Sequence, residues 1–119
     1  MVRVKSNSLN SAHTTAVDEK LATLLQFALK ANKVVLGHDI VMRSILKKKA
    51  QLIICANDLS ENSFQSISKC QNSIEMIKWG TKSLFYDIFG KPIGIIGILD
   101  ENFKNGIKKQ FSLLLESEE

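Results

Sequence analysis

Gly37-His38-Asp39-Ile40 and, one helical turn further on, Arg43 are the residues best suited to chemistry in this chain. A glycine that ends an apolar strand and opens a helix leaves backbone N–H groups facing outward, and such a helix mouth receives a phosphate or another anion. Arg43 falls three residues beyond Ile40 and four beyond Asp39, on the same helical face, where its guanidinium can clamp a phosphate. Catalysis lacks its parts. His38 has no partner at metal or triad spacing, His13 stands in a polar stretch and gets no role, and Asp87, Asp100 and Glu101 are not paired for acid–base work. Cys55 and Cys70 have no second cysteine or histidine at metal spacing, so neither a metal site nor a cofactor is expected. Gly94 and Gly97 lie inside the apolar run Ile93–Leu99 with no Gly-Lys-Ser/Thr after them, which excludes a phosphate loop. These residues predict a binding surface, not an active site.

The bulk properties agree. A length of 119 residues, 45% of them hydrophobic and 24% charged, suits one domain with one core. A net charge of +4 favours a polyanionic partner. Two unpaired thiols, with Cys55 inside an apolar run, point to a reducing, cytoplasmic setting. The longest apolar stretch is far short of the about 20 residues of a membrane span, and Met1–Lys20 is too polar for a secretory signal. Lys47-Lys48-Lys49 read first as a helix end that complements the helix dipole, and second as an RNA-facing stripe.

The elements that must position these residues follow from hydrophobic period and turn chemistry. Residues 1–17 read as a flexible polar arm, 18–115 as a single domain, and 116–119 as an acidic tail. Leu21, Leu24, Leu25, Ala28 and Leu29 mark an amphipathic helix, and Val34–Leu36 a short strand. Asp39 or His38 is expected to cap the next helix, with Ile40, Val41, Ile45 and Leu46 as its apolar positions. Leu52–Ala56 is apolar on both faces, as a central strand covered by helices would be, and completes a βαβ unit. Asn57-Asp58-Leu59 is turn chemistry, followed by Ser60 as the cap of a helix that turns Phe64, Ile67 and Ser68 inward. Ser73–Trp79 is a third strand, with Ile74 and Met76 on one face and Ile77 and Trp79 on the other. Trp79 reads either as a core lid or as an exposed stacking platform. Thr81 caps a helix that ends at Gly90 and is stopped by Pro92. Ile93–Leu99 is the last strand, and Phe103, Ile107, Phe111, Leu114 and Leu115 line the last helix. This alternation predicts an α/β fold, a three-layer α/β/α sandwich on a four-stranded mixed sheet.

In this order the residues resemble a known family. The apolar strand Ala50-Gln51-Leu52-Ile53-Ile54-Cys55-Ala56 runs into Asn57-Asp58, Gly90-Lys91 precedes the last strand, and Asp100-Glu101-Asn102-Phe103 follows it. With Leu24–Lys33 on the first helix, the pattern over Leu21–Leu115 is similar to the kink-turn-binding ribosomal protein superfamily of L7Ae and L30e, in its small bacterial variant. The resemblance implies a cytoplasmic, translation-associated RNA-binding protein that is not an enzyme and is monomeric when free. Its partner would be structured RNA, ribosomal RNA included, rather than DNA or a membrane. It assigns RNA binding to Gly37, His38, Asp39, Ile40 and Arg43, and to Gly90, Lys91, Pro92 and Ile93. In the superfamily a polar pair stands where this chain has Asp39-Ile40, and Leu-Gly where it has Phe85-Tyr86. The apolar Ile40 and the bulky Tyr86 give a second reading its basis, a protein–protein adaptor on the same fold.

Overall fold

The computed structural model describes residues 16–70 and 74–117. Helices and strands alternate throughout: Ala16–Lys30 (α1), Val34–Leu36 (β1), His38–Leu46 (α2), Leu52–Cys55 (β2), Glu61–Cys70 (α3), Glu75–Lys78 (β3), Lys82–Phe89 (α4), Ile95–Ile98 (β4) and Glu101–Ser117 (α5). Apart from Ala16, Val17, Glu116 and Ser117, which belong to α1 and α5, the arm and tail expected at the two ends lie outside the described residues, as does Ser73.

The sheet is four-stranded and mixed, in the order β1-β4-β2-β3. β2 and β3 are parallel, while β4 runs antiparallel to both of its neighbours, so that Gly97 sits between Val35 and Ile53 and Ile96 between Leu36 and Ile54. The expected βαβ unit is therefore split: β1 and β2 run the same way with β4 inserted between them. The two central strands are buried along their whole length, as their unbroken apolar runs require.

Alternate residues of the strands feed two cores. Leu52, Ile54, Ile77, Trp79, Ile96 and Ile98 pack with Leu21 and Leu25 of α1, Phe85 and Phe89 of α4 and Ile107 of α5. Ile53, Cys55 and Ile95 pack on the other side with Val41 and Ile45 of α2 and Ile67 of α3. This is the α/β/α sandwich. α2 comes close to the sheet because Gly97 has no side chain: a β-carbon there would lie 3.2 Å from Val35 and 3.6 Å from the Ser44 hydroxyl. Ser44 Oγ, buried at this contact, donates to the Val41 carbonyl at 2.7 Å.

Three helix details correct the sequence reading. α2 has Gly37 as its N-cap residue with no side-chain cap bond, so neither Asp39 nor His38 caps it. Ile40 and Leu46, read as apolar positions of the core face, are exposed, because Val41, Ser44 and Ile45 alone set the buried face of α2. Leu115 of α5 is also exposed. Trp79 is 6% exposed and its indole N–H donates to Asp18 Oδ1 at 3.0 Å, which settles it as a core residue rather than a stacking platform.

Cys55 is fully buried, and desolvation pushes its thiol up from 9.0 to about 11, with the Lys78 charge opposing in part. A thiol that stays protonated in the folded state while it ionises in the unfolded one adds stability that is present below pH 9 and is lost as pH rises towards 11. The unfolding free energy is expected to fall across that window by up to about 2–3 kcal/mol more in the parent protein than in Cys55→Ala, read by urea titration at each pH.

Candidate nucleic-acid interface

All the turns of interest gather at one end of the sheet, beyond the carboxyl ends of β1, β2 and β3 and the amino end of β4. This is where open α/β sheets present their binding crevices. Backbone bonds lace the turns together. Gly37 N–H donates to the Ile95 carbonyl at 2.9 Å, Ala56 N–H to Gly94 at 2.8 Å, and Asn57 N–H to Gly80 at 2.8 Å. Gly37 and Ile93 are neighbours: a β-carbon on Gly37 would stand 3.8 Å from Ile93 Cγ2. The two segments singled out in the sequence, 37–43 and 90–93, therefore converge.

Three helices, α2, α3 and α4, point their N-termini to this end. The mouth of α3 is closed by Ser60 Oγ, which accepts from Ser63 N–H at 3.2 Å. The mouth of α4 is closed twice, by Thr81 Oγ1 on Leu84 N–H and by Asp58 Oδ1 on Lys82 N–H at 2.9 Å. α2 has no side-chain cap. Its first helical bond is Val41 N–H to the Gly37 carbonyl, so the N–H groups of His38, Asp39 and Ile40 precede the helical ladder. Gly37 holds this turn with φ 96° and ψ 157°, a region essentially reserved for glycine.

Around this mouth, Asp39, Ile40 and Arg43 are exposed and His38 is half-buried with Nδ1 3.5 Å from Asp39 Oδ1. On the facing loop Gly90, Lys91 and Pro92 are exposed and Ile93 is half-buried. Gly90 closes α4 in the left-handed conformation (φ 74°), its N–H donating to Tyr86. Pro92 then sits at the centre of a tight turn in which Ile93 N–H reaches the Lys91 carbonyl at 2.9 Å. Lys91 is thus presented by a rigid loop.

Two contributors escaped sequence reading. Asp58, taken as a turn former, reaches across 24 residues to cap α4 and fixes that helix to the β2–α3 turn. Lys82 lays its side chain over Gly94, where a β-carbon would come within 3.3 Å of Lys82 Cγ and 2.9 Å of Leu59 Cδ1. The parallel pairing of β2 with β3 brings Asp58 to Lys82, and the insertion of β4 beside β2 brings Gly94 to them; local sequence carries no sign of either.

The charge here is nearly balanced. Arg43, Lys78, Lys82 and Lys91 stand against Asp39, Asp58 and Glu61, an excess of a single charge. Such a surface attracts phosphate weakly in bulk and instead offers placed donors, an apolar rim from Ile40 and Ile93, and a guanidinium one turn inside the mouth. No group of three or more metal-ligating side chains occurs among the described residues. No helix among them is long and apolar enough to cross a membrane.

Residues 19–97 match the model of the ribosomal protein L7Ae/L30e/S12e/Gadd45 family. The RNA-binding protein YlxQ of Enterococcus faecium is 26% identical over 93 residues, which span 76% of this chain and 90% of that protein. Among solved structures, a protein of unknown function from Bacillus halodurans superposes with a TM-score of 0.72 at 21% identity, covering 78% of this chain and 97% of its own. The 15.5kD RNA binding protein of Giardia lamblia gives a TM-score of 0.67 at 13% identity, over 90% of this chain and 93% of that one. At such identities the two structures speak for the fold alone.

Proposed function

Since this chain belongs to the ribosomal protein L7Ae/L30e/S12e/Gadd45 family, we propose that it is a non-catalytic, translation-associated protein that binds structured RNA of the kink-turn type. RNA meets Gly37, His38, Asp39, Ile40 and Arg43 on one side and Gly90, Lys91, Pro92 and Ile93 on the other. The observation that carries this reading is the uncapped mouth of α2 beside a glycine–proline loop, when both other helix mouths at that end are closed by the protein's own side chains. The free N–H groups and Asp39 engage base edges, Arg43 and Lys91 hold flanking phosphates, and Ile93 packs on an unstacked base. The name of the Enterococcus faecium relative, an RNA-binding protein, supports RNA as the partner.

The test is fluorescence anisotropy with a kink-turn RNA and with the same RNA in which the tandem G·A pairs are replaced by Watson–Crick pairs. The kink-turn form is expected to bind at least tenfold more tightly, about 1.4 kcal/mol. Arg43→Ala combined with Lys91→Ala is expected to weaken it by about tenfold or more, at about 1 kcal/mol for each charged contact. Equal binding of the two RNAs, or indifference to the double substitution, would favour the adaptor reading. That reading draws on Ile40 and Tyr86, which are 46% and 54% exposed.

A further inference from the structure

Five exposed lysines, Lys30, Lys33, Lys47, Lys48 and Lys49, cluster at the pole opposite the proposed RNA site. α1 and α2 end in the same way there. Asn32 (φ 59°) and Lys48 (φ 61°) both take the left-handed conformation. Asn32 N–H donates to Leu29 and Lys33 N–H to Ala28, just as Lys48 N–H donates to Ile45 and Lys49 N–H to Ser44. Each is a Schellman turn, and in each the residue after the left-handed one is a lysine. The two turns then enter β1 and β2, which flank the same end of β4. The Lys33 carbonyl accepts from Leu99 N–H at 2.8 Å, and Gln51 N–H donates to Ile98 at 2.7 Å.

β1 and β2 are two strand spacings apart, so the turns are separated by about 10 Å. α1 belongs to one helical layer and α2 to the other, so the patch straddles the sandwich. It gathers Lys30, Lys33, Lys47, Lys48 and Lys49, all exposed, against the carboxylates of Asp100 and Glu101, while Glu75 at the start of β3 is held by Lys108 at 2.6 Å. Asp100 is already engaged, accepting from Phe103 N–H at 3.0 Å as the cap of α5. Neither ion pair recorded among the described residues, His38–Asp39 and Lys108–Glu75, involves any of the five lysines. Two helix C-termini offset about one charge between them, far less than five lysines supply.

Helix-dipole complementation needs one cation per helix end, and it leaves the remaining lysines unexplained. A non-glycine residue at a left-handed position also costs about 1 kcal/mol, yet a lysine occupies the one in the α2 turn. Arg43 on α2 and Lys47, the C-cap residue four positions on, join this patch to the uncapped mouth by a cationic stripe.

We propose that the turns 30–33 and 47–49 form a second RNA contact, which grips the phosphate backbone of a duplex without reading its sequence. It rests on the RNA reading above and completes it: the nearly balanced site supplies selectivity and this pole supplies salt-sensitive affinity. The test uses the full chain, a plain RNA duplex of about 20 base pairs with no internal loop, and anisotropy at three salt concentrations. The parent protein is expected to bind it with a steep salt dependence. Lys33→Gln/Lys47→Gln/Lys49→Gln is expected to bind about tenfold more weakly at low salt, with the slope of log K against log salt shallower by about 2–3. The Lys→Arg triple, with charge kept, is expected to restore both, which separates charge from any effect on folding. Unchanged affinity and slope in the Gln triple would overturn the proposal. So would tighter binding to phosphatidylserine vesicles than to the duplex, lost in the same variant. The kink-turn RNA, titrated alongside, reports on the first site: a lost preference for G·A pairs sinks the first reading, and an unaffected duplex titration sinks this one.

Discussion

Phe85→Ala is expected to destabilise the protein by about 3–5 kcal/mol, the range for truncating a fully buried phenylalanine. Phe85 is 0% exposed. Its ring meets Phe89 edge-on at 6.1 Å between centroids and Trp79 at 6.2 Å, and it lies under the turn at Gly80, where a β-carbon would come within 3.3 Å of it. The ring therefore ties α4 to the segment that leaves β3. A domain of this size holds about 5–15 kcal/mol in all, so the loss takes a large share of it. The check is a urea titration with an unchanged m-value and a lowered midpoint. A loss below about 1 kcal/mol would mean that α4 is not anchored as described. Since α4 carries the Gly90–Ile93 loop, the variant is also expected to show weaker RNA binding at temperatures where it is still folded.

Gly37→Ala is expected to cost about 1–3 kcal/mol, and the reason differs in kind. There is room for the methyl group, whose nearest neighbour is Ile93 Cγ2 at 3.8 Å. The penalty lies in the backbone, since φ 96° with ψ 157° is closed to an L-residue with a β-carbon. Relief comes only by rotating the turn, and that moves the N–H groups of His38, Asp39 and Ile40. Binding of the kink-turn RNA is therefore expected to fall by tenfold or more even at temperatures where the variant is fully folded. Retained affinity in a destabilised Gly37→Ala would separate the turn from the interface.

Much of this arrangement was legible in the sequence because it is local. Thr81 and Gly90 bracket α4 with residue types whose roles are intrinsic, and each does what its type predicts. The apolar run Leu52–Ala56 announced a strand covered on both faces, and the alternation of Ile74 and Met76 with Ile77 and Trp79 sorted β3 between the two cores. What could not be read locally was decided by long-range pairing or by backbone conformation. Nothing near β1 or β2 says that β4 will insert between them. Asp39 has the composition of a cap, but the glycine before it turns the chain into the helix by a path that leaves the mouth open. Ile40 and Leu46 have the hydropathy of core residues, yet the helical phase fixed by Val41, Ser44 and Ile45 faces them outward. Long-range pairing of β2 with β3 hid Asp58 and Lys82, and that of β1 and β2 with β4 brought the basic turns of α1 and α2 to one pole.

Backbone amide mapping by heteronuclear NMR during titration with a kink-turn RNA addresses the central idea most directly. The largest shifts are expected at His38, Asp39, Ile40 and Arg43 together with Gly90, Lys91 and Ile93, since those amides would change hydrogen-bond partner or ring environment at once. Shifts confined to α5 and the outer face of α1, with the amides of His38–Ile40 unmoved at saturation, would contradict it.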